Sequence, residues 1–332
     1  MSVVPPIDAG PALRTAVGAV VIGRNEGERL RACLASVLPS VQRVVYVDSG
    51  STDGSVTMAQ AMGADVVALD MGQPFTAARA RNAGLHRLLA LDPALRYVQF
   101  IDGDCEVVPG WMDAALRHIE AHGDCGVVCG RRRERYPERS IYNRMCDIEW
   151  NTPVGEALSC GGDALFRVAP LQEVGGYRDS LIAGEEPELC LRLRRLGWRV
   201  HRVDHDMTRH DAAITRWTQW WQRTVRAGHA YAEGAWLHGA SPERHWVRPT
   251  VRALLWGVLL PVLTVLLGLY AGPAGWSLAL VYPLQWLRLV LRDGSAPMAF
   301  FTVAGKFAEA QGVLKFLVGR LLGRTGRLIE YK

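Results

Sequence analysis

The sequence predicts an α/β fold with a mainly parallel sheet and helices on both of its faces, followed by membrane-associated helices at its C-terminal end. Short apolar runs rich in Val, Ile and Leu alternate with segments whose apolar residues recur at helical spacing, as is typical of parallel sheets. Residues 253–287 contain no charged side chain and no histidine, and a run of that length can enter a membrane. The 332 residues suffice for one large domain or two ordinary ones.

The first half of the chain alternates strand and helix in regular order. The predicted strands are 16–23, 43–50, 64–70 and 97–102, and the predicted helices are 25–38, 52–63 and 76–91. Ligands of such sheets bind at the carboxyl ends of the strands. Polar residues follow three of these strands, namely Asn25 and Glu26, the segment 48–53, and the segment 102–106. We therefore expect the three groups to line one crevice.

The second half of the predicted catalytic domain is less regular. A strand over 126–136 leaves the core, a glycine-rich turn leads into a short strand within 158–168, and a strand follows over 198–204. The segment 184–197 is predicted to be a helix, because acidic residues and a proline begin it and a glycine ends it. We place the catalytic domain in residues 1–245 and the membrane-associated part in 246–332.

Composition excludes several classes of protein. Seven cysteines without C-x-x-C spacing argue against a disulfide framework or a zinc site and indicate reduced thiols in the cytosol. The net charge of +5 is mild, and the basic runs at 130–135 and 192–199 belong to no recognisable nucleic-acid-binding module. No nucleic-acid partner is expected. The N-terminal segment lacks the pattern of a signal peptide.

The uncharged run 253–287 predicts two short membrane passes. The segment 270–276 contains two glycines and a proline, which suits a turn. Arginines flank both ends of the run and none lies in the turn, so the positive-inside rule places both flanks in the cytoplasm. Two alternatives remain at this point, a re-entrant hairpin and a buried helical hairpin of a soluble core.

The segment 306–332 predicts a basic amphipathic helix at the membrane interface. Its apolar positions alternate in steps of three and four, and basic residues accompany them. The apolar positions are Phe307, Ala310, Leu314, Leu317 and Leu321, and the basic ones are Lys306, Lys315, Arg320, Arg324 and Arg327. The alternative is a helix packed on the catalytic domain.

Taken in order, the polar motifs of the chain resemble those of the family 2 glycosyltransferases, inverting enzymes with the GT-A fold, over about residues 16–235. The order of the motifs is more specific than any single one. The motifs are VVIGRNEGERL (20–30), VDSGSTDGS (47–55), ARARNAGL (78–85), IDGD (101–104), CGGDALFR (160–167) and AGEEPELCLRLRRLGWRV (183–200).

The resemblance implies a divalent cation, Mn²⁺ or Mg²⁺, at Asp102 and Asp104. A hard cation held by carboxylates neutralises the diphosphate of a nucleotide-sugar donor. The two side chains lie on the same side of an extended backbone, and Gly103 leaves room for the diphosphate. We expect Asp104 to bind the metal directly and Asp102 to act through water or the ribose, with His210 completing the shell. The alternatives are a solvated strand end and an ordinary surface or core histidine.

The resemblance also implies donor-binding residues on the first strands and helices. Asp48 takes the position that contacts the nucleoside, while Ser49 stands where many members carry a second acid. Arg79 and Arg81 are expected near the donor phosphates, although both could equally form the solvated face of a helix. Asn25 and Glu26 complete this group, and Asp53, which opens the next helix, is equally well explained as a helix cap.

Further residues are expected around the transferred sugar. Gly161 and Gly162 would leave room for the donor or acceptor sugar, and Asp163 would contact it. Arg223 lies in a Trp-rich segment, 217–226, that loosely resembles the Gln-x-x-Arg-Trp segment of processive synthases. The aromatic side chains there could stack on sugar rings or lipid, or lie at the membrane interface.

Inverting transfer requires a general base that accepts the proton of the acceptor hydroxyl. In the family this base is the second acid of a Glu-Asp pair at a helix start, and here the pair is Glu185-Glu186. The alignment makes Glu186 the base and Glu185 its neighbour, with an exchange of roles left open by the longer side chain. Both acids could instead merely complement the helix dipole.

Together these features predict an inverting, metal-dependent glycosyltransferase that moves a sugar from a nucleotide-diphosphate donor to a hydroxyl of a lipid-linked or polysaccharide acceptor. The setting would be exopolysaccharide or cell-envelope glycan synthesis, with membrane lipids holding the enzyme at the inner membrane and the catalytic domain facing the cytoplasm. The alternatives are a processive polysaccharide synthase, a nucleotidyltransferase, and a non-catalytic membrane scaffold that binds nucleotide sugars.

Overall fold

The computed structural model describes residues 15–323 and divides the chain into two compact units. The first unit runs up to Ser180 and includes Glu185–Ala213, and the second comprises Leu181–Gly184 and the residues from Ile214 onward. The division falls about 30 residues before the predicted boundary at 245, because the long helix after the last strand packs with the C-terminal helices.

The first unit is an α/β fold, as predicted. Its strands are β1 Val17–Gly23, β2 Arg43–Asp48, β3 Asp65–Ala68, β4 Tyr97–Asp102, β5 Cys105–Val107, β6 Cys125–Glu134, β7 Gly155–Ala157, β8 Ala164–Arg167 and β9 Arg199–His210. Its helices are α1 Glu28–Val37, α2 Ser55–Ala61, α3 Ala77–Leu91, α4 Trp111–Ala121, α5 Ile141–Glu149, α6 Val168–Glu173 and α7 Glu185–Arg195.

The strands form one sheet in the order β3-β2-β1-β4-β8-β6-β9-β5, with β7 paired to β9. Strands β1 to β4 are parallel, and so are β6 and β9. Strand β8 is antiparallel to both β4 and β6, and β5 and β7 are antiparallel to β9. The sheet is therefore mixed, and its regular parallel half is the part in which strand and helix alternate along the sequence.

The register brings the predicted polar strand ends to one edge of the sheet. Gly23 pairs with Asp48 across β1 and β2, and Ile22 pairs with Asp102 across β1 and β4. Just after the acidic pair, Cys105 of β5 pairs with His210 at the end of β9. The ends of β1, β2, β4 and β9 thus supply the polar residues of one region.

A glycine in α3 sets how closely that helix lies on the sheet. A Cβ at Gly84 would come 2.3 Å from Cγ1 of Val20 and 2.9 Å from Cγ2 of Val47. The helix backbone therefore packs directly on β1 and β2, and Arg81, one turn earlier on the same face, enters the protein interior with 2% of its surface exposed.

The second unit is helical. Its elements are α8 Trp217–His238, α9 Val247–Leu254, a π-helical turn Leu255–Leu259, α10 Leu260–Ala271, α11 Pro273–Trp276, a 3₁₀ turn Ser277–Leu280, α12 Val281–Asp293 and α13 Ala296–Leu321. Helices α8 and α13 touch through their backbones, because a Cβ at Gly228 would lie 2.0 Å from the carbonyl oxygen of Glu309 and a Cβ at Gly312 would lie 2.0 Å from that of Val225.

The apolar run forms one long helix and a broken second half. Residues Val247–Ala271 are continuously helical, and the most apolar 18-residue window of this helix has a mean hydropathy of 2.2, with only 17% of the window buried within the protein. Among the described residues this is the one helix long and apolar enough to cross a membrane. The predicted second pass is not an equivalent helix. Its longest regular piece is α12, which is about 20 Å long, against about 30 Å of hydrocarbon.

The C-terminal helix α13 starts ten residues before the predicted amphipathic segment. Its buried face is formed mainly by small residues and phenylalanines that pack within the second unit, while Leu314 and Leu321 are exposed. Arg324 and Arg327 lie outside the described residues. The donor-binding candidate Arg223 lies on α8, where neighbouring Trp220 packs edge-on against Phe301 at a ring distance of 4.9 Å.

Candidate active site

The acidic pair follows β4 through a tight turn. Asp102 is the last residue of β4 and Asp104 precedes β5. Gly103 donates its amide hydrogen to the carbonyl oxygen of Ile22 at 2.8 Å, and a Cβ there would lie 3.0 Å from the same oxygen. The glycine therefore lets the turn pack against the end of β1. This contact with Ile22 is by itself a sufficient reason for a glycine at position 103, whether or not a diphosphate binds there.

Two arginines hold the carboxylate of Asp102, one on each oxygen. Arg81 donates from Nη2 to Oδ1 at 2.8 Å, and Arg132 donates from Nη2 to Oδ2 at 3.2 Å. Partial burial would raise the pKa of Asp102, but the two guanidinium groups outweigh it and the pKa lies below its ordinary value. Asp102 is thus an ionised and oriented carboxylate.

Arg81 connects this carboxylate to the acids of α7. Its Nη1 donates to Oε1 of Glu185 at 2.7 Å, and its guanidinium lies 5.5 Å from the ring centre of Tyr177. Burial would lower the pKa of Arg81, yet Asp102 and Glu185 raise it. Arg81 is therefore an internal bridge between two acids. Arg79, the other expected phosphate ligand, donates to the carbonyl oxygens of its own preceding loop, 70–74.

Asp163 lies beneath these groups and is completely buried. It accepts the backbone N–H of Asp102 at 3.0 Å, the hydroxyl of Thr208 at 2.7 Å and Nη2 of Arg132 at 2.9 Å. Asp163, expected from the sequence to contact the sugar, instead joins β4, β6 and β9 and fixes the position of Asp102.

Asp104 and His210 form the pair best suited to a cation. Oδ2 of Asp104 lies 3.2 Å from Nε2 of His210, and both side chains are largely buried. The ligand atoms of these two residues and Cys105 lie within 4.8 Å of one another. Oxygen and imidazole nitrogen are donors that suit Mn²⁺. The ring of Trp150 packs edge-on against His210 at 4.9 Å and holds the imidazole in place.

Glu186 is held by one oxygen at the start of α7. Its Oε1 accepts the backbone N–H of Cys160 at 2.5 Å and the thiol of Cys190 at 3.2 Å. Within the described part of the chain, its Oε2 makes no hydrogen bond. The thiols of Cys160 and Cys190 lie 3.6 Å apart, and burial together with that contact raises the pKa of Cys160. Glu186 thus combines a fixed orientation with an oxygen able to accept a proton.

The loops after β1 and β2 are joined to each other. Asn25, at φ 55°, donates its backbone N–H to Oγ of Ser51 at 2.8 Å and accepts the N–H of Thr52 at 2.7 Å. Asp48 accepts the hydroxyl of Tyr46 at 2.9 Å and two backbone N–H groups of its own turn, at 50 and 51. Asn25 and Asp48 therefore shape the predicted nucleoside region.

The other acids of these loops make local contacts. Glu26 pairs with Arg29 at 2.7 Å. Asp53 accepts the N–H and the hydroxyl of Ser55, the first residue of α2, at 3.1 and 2.6 Å. The N-cap position itself is taken by Gly54, so Asp53 lies one residue before the cap.

Sequence reasoning did not identify Arg132, which contacts both Asp102 and Asp163. The three consecutive arginines 131–133 could have indicated it. Alternate residues of a strand face opposite sides of a sheet, so the middle arginine must face the side opposite to its two neighbours. Arg131 and Arg133 both pair with Asp147, and Arg132 faces the other side.

Replacing Gly162 by alanine is expected to disturb this cluster. A Cβ there would lie 2.8 Å from Oδ2 of Asp102, 3.0 Å from Nη2 of Arg81 and 3.1 Å from Nη2 of Arg132. These atoms are fixed by ion pairs, so the methyl group must displace them, and a displacement near 1 Å costs about 100-fold in rate. Gly123→Ala, where the methyl group would meet no atom within 4 Å, is the control. Equal transfer rates for the two variants would contradict this expectation.

Comparison with known proteins agrees with the predicted fold and with the family that the sequence resembles. Residues 19–171 match the model of glycosyl transferase family 2. That segment contains Asp48, Asp102, Asp104 and Asp163, whereas α7 and the end of β9 lie beyond it.

Similar proteins extend over most of the chain. The succinoglycan biosynthesis protein ExoA of Rhizobium meliloti (strain 1021) is 24% identical over 296 residues, which cover 83% of this chain and 86% of that protein. The mannosyltransferase PcManGT of Pyrobaculum calidifontis, solved in complex with GDP-Man and Mn²⁺, matches with a TM-score of 0.58 at 17% identity, over 93% of this chain and 88% of that one. TarS 1-349 of S. aureus matches with a TM-score of 0.51 at 14% identity, over 93% and 92%.

Proposed function

We propose that this chain, which is a family 2 glycosyltransferase, transfers a sugar with inversion from a nucleotide-diphosphate donor to an acceptor hydroxyl. The observation that carries the proposal is the set of acids at one edge of the sheet. Arg81 bridges Asp102 to Glu185, and Glu186 follows Glu185 at the start of α7. The cation pair, the base and the arginine that joins their neighbours Asp102 and Glu185 thus come from four separate segments of the chain.

Asp104 and His210 would hold a divalent cation, Mn²⁺ or Mg²⁺. The cation would neutralise negative charge on the diphosphate as it leaves. Asp102 is less suited to bind the cation directly, because each of its oxygens already accepts from an arginine. Its proposed role is to orient the donor through water or the ribose. The Mn²⁺ and GDP-Man bound by the mannosyltransferase PcManGT support this donor class.

Glu186 is the proposed general base. The acceptor oxygen attacks the anomeric carbon, the bond from that carbon to the diphosphate oxygen breaks, and the hydroxyl proton passes to Oε2 of Glu186. A single displacement of this kind inverts the anomeric configuration. Glu185 is less suited because its carboxylate is paired with Arg81.

The proposed acceptor is a lipid-linked or growing polysaccharide, as in exopolysaccharide synthesis. The similarity to a succinoglycan biosynthesis protein over most of both chains supports this setting. The exposed apolar helix Val247–Ala271 is proposed to hold the enzyme in the inner membrane, with the catalytic unit in the cytoplasm.

A thermal-shift screen of nucleotide-diphosphate sugars, with and without Mn²⁺, tests the core of the proposal. At least one donor should raise the melting temperature, and more so with Mn²⁺, because a ligand that binds only the folded state stabilises it. The nucleoside diphosphate without the sugar and the donor with EDTA are the controls. A screen in which no donor raises the melting temperature would contradict donor binding.

A further inference from the structure

Three histidines of the first unit lie together at the edge of the sheet opposite to the acids. His118 and His122 belong to the last turn and the end of α4, and His201 lies near the start of β9. His210 ends the same strand, so at the usual rise per residue it is about 30 Å from His201. The three histidines therefore form a group separate from the proposed active site.

The three imidazoles are in mutual contact. Nε2 of His118 lies 2.8 Å from Nδ1 of His201. The rings of His118 and His122 stack with centres 4.2 Å apart, as the i, i+4 spacing on a helix allows. One ligand nitrogen from each ring lies within 4.8 Å of the others. None of the three side chains is buried, so an ion can reach them from solvent.

The hydrogen bond of His122 leaves one ring nitrogen with a lone pair that a metal can accept. Its Nδ1 lies 2.8 Å from the carbonyl oxygen of His118, an acceptor only, so Nδ1 carries the hydrogen and Nε2 keeps its lone pair. A ligating histidine usually donates its other ring N–H to a carbonyl or carboxylate in this way. The backbone of α4 thus sets the tautomer of His122 before any ion arrives.

The contact between His118 and His201 would be replaced by the ion. Two neutral rings 2.8 Å apart share one hydrogen between them. Two nitrogens each about 2.0 Å from one tetrahedral ion are about 3.3 Å apart, so the rings need to separate by about 0.5 Å and the shared hydrogen must leave. Rotation of partly exposed side chains provides a shift of that size.

Burial and the proximity of the three rings to one another favour the neutral form of His118 and His201. Burial, followed by the neighbouring imidazoles, lowers the pKa of His118, and burial followed by His122 lowers that of His201. Asp124 and Glu156 lie close enough to act on His201 in the opposite direction. Neutral imidazoles offer lone pairs, and two nearby carboxylates attract a cation.

We propose that His118, His122 and His201 bind a transition-metal ion, Zn²⁺ in the first instance, with water at the fourth position. Three imidazoles with an open position match the ligand number and type that zinc accepts. The site joins the end of α4 to the start of β9. Binding of a metal ion to these three histidines therefore stabilises the first unit, and this effect does not depend on the proposed sugar transfer.

Zinc titration of the full chain without a purification tag tests this proposal. In isothermal calorimetry the wild type should bind one more zinc ion than His122→Gln or His201→Gln. His86→Gln, which removes an exposed histidine of α3, is the matched control and should retain wild-type stoichiometry. Zinc should also raise the melting temperature of the wild type more than that of His122→Gln.

A background of Asp104→Ala separates the two sites, because zinc bound at the active-site acids would be lost there and zinc bound at the histidines would remain. His122 is at the helix end, so its variant is expected to fold even if His201→Gln does not. The proposal is overturned if a folded His122→Gln chain binds as many zinc ions as the wild type, with the same affinity.

Discussion

Glu186→Gln is expected to abolish sugar transfer while the protein stays folded. The amide has the shape of the carboxylate, and its oxygen can still accept from the N–H of Cys160, but the side chain no longer accepts a proton. General base catalysis is typically worth about 10² to 10⁴-fold, and the loss should fall in that range. The measurement is incorporation of sugar from whichever donor stabilises the wild type.

Glu185→Gln is the matched control for this variant. It removes a charge at the neighbouring position and weakens the ion pair with Arg81, so we expect a smaller loss and a changed affinity for the donor. Donor-induced stabilisation should persist in Glu186→Gln, which separates catalysis from binding. If Glu186→Gln transferred sugar at the wild-type rate while Glu185→Gln did not, the roles of the two acids would be exchanged.

Asp104→Ala is expected to remove the dependence on Mn²⁺ together with the activity. Its carboxylate is the one adjacent to His210, and His210 alone offers a single nitrogen. Loss of a metal's outer partners already costs about 10 to 100-fold, so loss of a direct ligand should cost at least about 100-fold in transfer. The measurements are the transfer rate and the melting temperature with donor, each with and without Mn²⁺.

The control for Asp104→Ala is Asp204→Ala, which removes an exposed carboxylate of β9. That variant should retain both the stabilisation by Mn²⁺ and the activity. Transfer by Asp104→Ala that still responded to Mn²⁺ would show that the cation is held elsewhere.

The α/β fold could be predicted because the parallel half of the sheet follows local patterns. Each strand from β1 to β3 is an apolar run followed by a helix, and parallel strands place their polar ends together. The direction of β8 could not be predicted, since a short apolar run has the same pattern in either direction. The second membrane pass was expected from hydropathy, which does not report where a helix breaks.

The partners of the site residues were harder to predict than the residues themselves. Asp102, Asp104 and Glu186 are conspicuous in the sequence, but the inward direction of Arg81 depends on the close approach of α3 at Gly84. The complete burial of Asp163 depends on Thr208 and Arg132, both distant along the chain. Contacts of this kind arise from tertiary packing, which cannot be predicted from the periodicity of the sequence or from the spacing of its motifs.

The Asp104–His210 pair joins positions about a hundred residues apart, and this has a consequence for folding during synthesis. Domains generally fold as units, and during synthesis the N-terminal domain folds first. The first unit is therefore complete only after β9 has left the ribosome, because His210 is the last residue of that strand. A chain arrested before the end of β9 would lack the imidazole of His210 and would have no complete cation pair.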